Sequence, residues 1–179
     1  MLDPFRRRGA SAGSLHPLQT VPSREAGVRS LVGCAWALEG DRAALQLARE
    51  WVRMLRGRSF VIDPERKAAY HAAAVIACAG VVTLLETSRR LLEGCGVASG
   101  QSRKMLQAFV SETAKNFAEL GARRALTGPA VRGDWPTVRR HLAALRKEAP
   151  DAVRLYRELV KQMLALAGNR ADSITRRDT

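Results

Sequence analysis

The chain has 179 residues, 46% of them hydrophobic and 26% charged, a balance that excludes a disordered segment and allows one domain with a buried core. Thirty lysines and arginines against 17 acidic residues give a formal net charge of +13, which raises nucleic acid or an anionic membrane face as a partner. Against that, only five of the thirty are lysine, the arginines are spread through every segment, and there is no cysteine-histidine finger and little aromatic surface for bases, so nucleic-acid binding is the least favoured class.

Residues 1 to about 30 lack a helical period and carry Gly9, Gly13, Pro17, Pro22 and Gly27. The opening MLDPFRRRGASAG has basic residues but no apolar stretch, so no secretory signal is expected. Ser14 to Leu18 and Leu31 to Leu38 are strand candidates, the second closed by Gly40-Asp41. Asp41 is placed to cap a helix whose face carries Leu45, Ala48, Trp51, Val52 and Leu55, and Gly57 ends it. Ser59 to Ile62 is a third short strand. Asp63-Pro64 then supplies a cap and a first-turn proline for a long helix reaching about Glu93.

The stretch Ala72 to Leu85 of that helix is apolar on every side, yet shorter than the roughly 20 residues of a membrane span. It is therefore expected to be buried by neighbouring helices or by a second copy, with no membrane involved. Beyond Gly94, Gly96 and Gly100, a stripe of Met105, Leu106, Phe109, Val110, Phe117 and Leu120 predicts a helix over 101–121, which Gly121 ends or interrupts. Helices from about Pro136 to Lys147 and Asp151 to Ala167 follow, and the polar tail from Gly168 is expected to fray. The fold class is mainly α: a helical domain of about five helices over 41–168, preceded by a small strand-bearing remnant over 1–40 and followed by a tail over 169–179.

Chemistry-bearing patterns are few. No glycine-rich dinucleotide loop, phosphate loop, nucleophile elbow or zinc-protease motif occurs. His16, His71 and His141 are too scattered to predict a metal site, and Cys34, Cys78 and Cys95 match no zinc or redox spacing, which predicts buried free thiols in a reducing cytoplasm. Two stretches remain. In ERKAAYHAAAVIACAG, Lys67 and His71 are four apart and share a helix face, a pair able to exchange a proton with a hydroxyl or carbonyl. Spacing alone favours the plainer reading of a solvated lysine and a hydrogen-bonded core histidine. In ALTGPAVRGDWPTVRRHLAAL, Thr127, Gly128 and Pro129 make a turn, Arg132 is placed to hold a carboxylate or phosphate, and Asp134 is an N-cap. A capped interhelical loop explains those residues equally well.

Taken in order, SLHPLQTVPS, ALEGD, KAAYHAAAV and NFAELGARRALTGPAVRGDWPTVRRHLAAL followed by LYREL resemble the C-terminal part of bacterial Rossmann-like oxidoreductases that carry the domain of unknown function 2520, over about residues 10–168. The resemblance implies an NAD(P)-binding Rossmann domain followed by a helical domain similar to the C-terminal domain of 6-phosphogluconate dehydrogenase, which dimerises and closes the substrate site. It implies Lys67 and His71 as proton-transfer residues, His16 facing the cleft, and Asn116, Thr127, Gly128, Arg132 and Asp134 on the substrate side. The glycine-rich phosphate loop is not in these residues, and Cys78-Ala79 stands where the family reads Ser-Asn.

The reading is a substrate-binding and dimerisation domain for a small anionic hydroxy or keto acid. It binds no cofactor alone, uses NADP or NAD if a separate Rossmann domain is supplied, and works as a cytoplasmic homodimer. The alternatives are an inactive helical interaction module and a basic nucleic-acid binder.

Overall fold

The structure is a computed structural model that describes residue 4 and residues 7–168; the tail expected over 169–179 lies outside the described residues. The fold is mainly α with a three-stranded sheet toward the N-terminus, as the sequence predicts. Two compact units divide the chain, residues 1–82 and residues 83–179.

In the first unit, β1 (Gly13–Pro17) runs antiparallel to β2 (Ala35–Gly40), and β3 (Arg58–Val61) runs parallel to β2, in the order β1-β2-β3. Between β1 and β2 lies α1 (Arg24–Ser30), where no helix was expected: two turns are too short to show a period, and the segment is fixed locally by Ser23, whose Oγ accepts from the Ala26 N–H at 3.2 Å. The strand expected from Leu31 starts only at Ala35, because residues 31–33 turn and Gly33 adopts a positive φ. Helix α2 (Arg42–Met54) crosses from β2 to β3 and packs Ala48 and Val52 on Trp36 and Leu38, with Leu15, Leu45 and Leu55 at the margin. The carboxylate of Asp41, at the N-cap position of α2, accepts from the Ala12 N–H at 2.8 Å instead of from the helix. Gly40 has φ +143°, and a Cβ there would collide with the backbone of Ala12 and Gly13, so the corner that brings β1 onto β2 requires glycine.

Asp63 caps a single 3₁₀ turn (Pro64–Arg66), its carboxylate accepting from the Glu65 N–H at 2.9 Å, and α3 (Lys67–Val75), a π-helical turn (Ile76–Gly80) and α4 (Val81–Gly94) follow without a break. The helix runs over the extent its sequence predicts, and its apolar faces, expected to be covered by neighbouring helices or by a second copy, are left exposed by the described residues of this chain. Expected to be buried all round, the segment exposes Val75, Ile76 and Val82 by 47%, 72% and 62%. The 31-residue helical stretch from Pro64 to Gly94 is, by length and composition alone, long and apolar enough to cross a membrane. The unbroken apolar run Ala72 to Leu85 is itself shorter than a span, whereas the helix continues through polar residues on either side of it. Cys78 and Cys95 are exposed rather than buried, since nothing among the described residues covers the apolar runs that hold them, and Cys34 is half-buried.

In the second unit, α5 (Ser99–Leu120) ends at Gly121, whose φ of +73° breaks the helix; α6 (Ala122–Ala125), a loop, α7 (Trp135–Glu148) and α8 (Ala152–Ala167) follow. The stripe predicted on α5 forms, yet Met105, Phe109 and Phe117 on it are exposed. The core lies between α7 and α8, where Val138 and Leu142 meet Val160 and Leu164 over the buried Ala130. Each fully buried leucine or valine of this kind contributes about 1.5–3 kcal/mol.

Candidate functional site

The strand period builds one part of the site. Side chains alternate across a sheet, so Leu15 faces α2 while Ser14 and His16 share the opposite face. Ser14 stands opposite Glu39, His16 opposite Ala37, and Ala37 opposite Phe60, which makes that second face polar at one end and aromatic at the other. On α3, Lys67, Tyr70 and His71 fall at spacings of three and four and therefore project together. The two sets meet around a cleft of about 450 Å³ lined by His16, Pro64, Lys67, Ala68, Tyr70 and His71.

Lys67 ties three elements together. Its Nζ lies 2.7 Å from Glu39 Oε2 on β2 and donates to Ser14 Oγ on β1 at 3.0 Å; its side chain is 45% exposed and that of Glu39 only 13%. His16 Nδ1 and the Tyr70 hydroxyl are hydrogen-bonded at 2.9 Å, with the rings edge to face at 5.3 Å. His71 lies edge to face with His16 at 5.8 Å, and Phe60 backs Tyr70 at 5.9 Å. Burial, with a smaller contribution from the neighbouring Cys34, pushes the Tyr70 hydroxyl above its ordinary value, so it stays protonated at neutral pH.

The cleft gathers His16, Lys67 and His71 from the residues singled out in the sequence, and adds Ser14, Glu39 and Tyr70. All three were findable: Tyr70 lies one turn from Lys67, Ser14 is two residues before His16, and Glu39 is the only charge in the strand AWALEG.

Thr127, Gly128, Arg132 and Asp134 lie together in the second unit, on the loop between α6 and α7. Gly128 has φ +109°, a conformation that requires glycine. The loop is pinned by the buried Ala130 and by backbone bonds from Asp134 N–H to Pro129 at 2.9 Å and from Gly133 N–H to Ala130 at 3.1 Å. Asp134 Oδ1 accepts from the Thr137 N–H at 3.1 Å, the cap expected for α7. The Thr137 side chain and backbone, aided by Arg140 and Arg132, hold its carboxyl below the usual carboxylate range. Thr127 and Arg132 are exposed, while Asn116 is half-buried on α5 with no hydrogen bond to the loop among the described residues.

A dinucleotide needs a glycine-rich turn between a strand and a helix, where backbone N–H groups meet the pyrophosphate. The strand-to-helix turns among the described residues are 18–23, the corner at Asp41, and 62–63, and none carries the spaced glycines. These residues do not fit a dinucleotide.

The described residues are mainly helical, with a small mixed sheet that carries a polar cleft. Residues 34–163 match the family described as a domain of unknown function, DUF2520, and the chain belongs to that family. No curated protein matches it. Among solved structures, it is similar to protein TM1727 of Thermotoga maritima, with 29% identity and a TM-score of 0.74 over 87% of this chain and 61% of that one. It is also similar in fold to the "putative NADP oxidoreductase BF3122" of Bacteroides fragilis, with 24% identity and a TM-score of 0.70 over 86% of this chain and 57% of that one. The chain thus spans less than two thirds of either structure's length.

Proposed function

We propose that this chain is the substrate-side portion of an NAD(P)-linked oxidoreductase acting on a small hydroxy or keto acid. The observation that carries it is the convergence of His16, Lys67, Tyr70 and His71 on one cleft, a set of groups suited to a carbonyl or hydroxyl oxygen. In the first unit, Lys67, His71 or His16 handles the proton at that oxygen; in the second, Arg132, with Asn116, Thr127 and Gly128, offers groups suited to a carboxylate. The length of the two similar structures beyond this chain, and the name of one of them, support a dinucleotide-binding portion supplied outside these residues, with NADP or NAD as cofactor. The exposed apolar residues of α3, α4 and α5 support a homodimer.

The test is turnover. The chain is produced with a dinucleotide-binding partner and assayed for nicotinamide oxidation against a panel of small keto acids. Turnover that falls at least tenfold in Lys67→Ala, His71→Ala or His16→Ala supports the reading, and no turnover with any keto acid overturns it. The second reading, an inactive helical interaction module, is favoured by the absence of a dinucleotide turn among the described residues. It predicts the same dimer without turnover.

A further inference from the structure

The polar groups of the cleft are not equally free. Lys67 donates to Ser14 Oγ and is ion-paired with Glu39, so much of its ammonium is already engaged. Glu39 also balances its charge, and no arginine lines the cleft among the described residues. A phosphate, which calls for bidentate guanidinium or several cations, is poorly served here, and a neutral oxygen is well served. His71 is exposed, and no hydrogen bond fixes its ring among the described residues.

His16 differs on each count. It is half-buried on β1, its Nδ1 is engaged by Tyr70 at 2.9 Å, and its ring is flanked edge to face by Tyr70 at 89° and by His71 at 85°. Tyr70 is itself backed by Phe60. A bond at one ring nitrogen fixes the orientation of an imidazole and leaves the other nitrogen available to a ligand, and because the tyrosine hydroxyl both donates and accepts, the tautomer belongs to the proposal.

We propose that His16 is the proton-exchanging residue of this cleft, with Nδ1–H donated to the Tyr70 oxygen and the lone pair of Nε2 offered to a ligand hydroxyl. Tyr70 is its positioning residue, and Lys67 anchors the ligand and the three elements without giving up its proton. In the step, the hydroxyl O–H bond breaks with its electron pair kept on oxygen, and an N–H bond forms at Nε2; the reverse returns the proton to the oxygen. The ligand class is a small alcohol or carbonyl compound that presents a neutral oxygen. The assignment rests on the oxidoreductase reading for its ligand but not for its tautomer.

The deciding experiment is ¹⁵N NMR of the histidine rings in the full chain, recorded with the imidazoles neutral. The expected spectrum shows His16 protonated at Nδ1 and bare at Nε2, and Tyr70→Phe, which keeps the ring against Phe60, shifts it toward the Nε2–H form that free imidazoles prefer. An Nε2–H tautomer in the wild type, or a tautomer indifferent to Tyr70→Phe, overturns the proposal. Should that variant fail to fold, the wild-type tautomer decides alone. Titration with lactate is expected to move the His16 Nε2 resonance, and acetate, of equal charge but without the hydroxyl, is expected not to. An equal response to acetate overturns the neutral-oxygen class. No response to either, with the tautomer as expected, removes the hydroxy-acid reading and leaves the His16–Tyr70 assignment standing.

Discussion

Lys67 shows how a residue picked for chemistry can also hold a fold together. Its removal by Lys67→Met leaves the Glu39 carboxylate, 13% exposed, without its cation. Because Lys67 is itself nearly half-exposed, water screens the pair, and the expected loss is about 1–2 kcal/mol. Urea unfolding is the measurement, and adding Glu39→Gln is expected to recover part of the loss, since the desolvated charge goes with it. Asp134 makes a second prediction at this scale. Its carboxyl sits below the ordinary value of 3.8 in the folded chain, so its stabilisation is complete above that value and is lost as pH falls through the lower, folded one. Asp134→Asn keeps a cap acceptor without a titratable group. Compared by thermal unfolding across an acid series, the wild type is expected to lose stability faster than the asparagine variant below about pH 4, and Asp134→Ala to be destabilised at neutral pH as well.

Among the elements, the α3–α4 segment departs most from its expected setting. A helix that exposes Ile76 by 72% and Val82 by 62% leaves apolar surface in water that packing against another surface would remove. Under the homodimer reading, Ile76→Glu is expected to give a folded monomer, with helical circular dichroism retained and the sedimentation mass halved. An unchanged mass places the dimer contact elsewhere. Helix α7 is the opposite case. Its start at Trp135, between the capping Asp134 and Pro136, and the helical stripe of Val138, Leu142 and Leu145 are set by residues within a few positions along the chain. For that reason it was legible to within a residue. Helix α1 was not, because its seven residues never complete the period that reveals a helix, and only the cap at Ser23 marks it.

The whole molecule carries a net charge of +13, but parts of its basic surface are already answered. Arg89 is bracketed by Glu86 and Glu93, and Arg90 meets Asp151 at 2.8 Å. A basic protein whose function is to bind DNA neutralises several phosphates at once and loses affinity steeply with salt. This chain is expected to show weak retention on DNA at low salt and none at physiological salt; tight binding with a steep salt slope would restore the nucleic-acid reading.

What the sequence determined by itself was everything a short stretch of chain can encode: the helical periods, the caps at Asp63 and Asp134, the stop at Gly121, the three short strands and the family that their motifs resemble. It also marked Lys67 and His71 as sharing a face, because four residues make one helical turn. Only the tertiary structure decided what those faces meet. Tyr70 reaches His16 across 54 positions, and Lys67 reaches Ser14 across 53, and no local period specifies such a pairing. Periodicity tells which side chains point the same way, whereas the antiparallel return of β1 onto β2 and the placement of α3 over their polar face decide which of them touch.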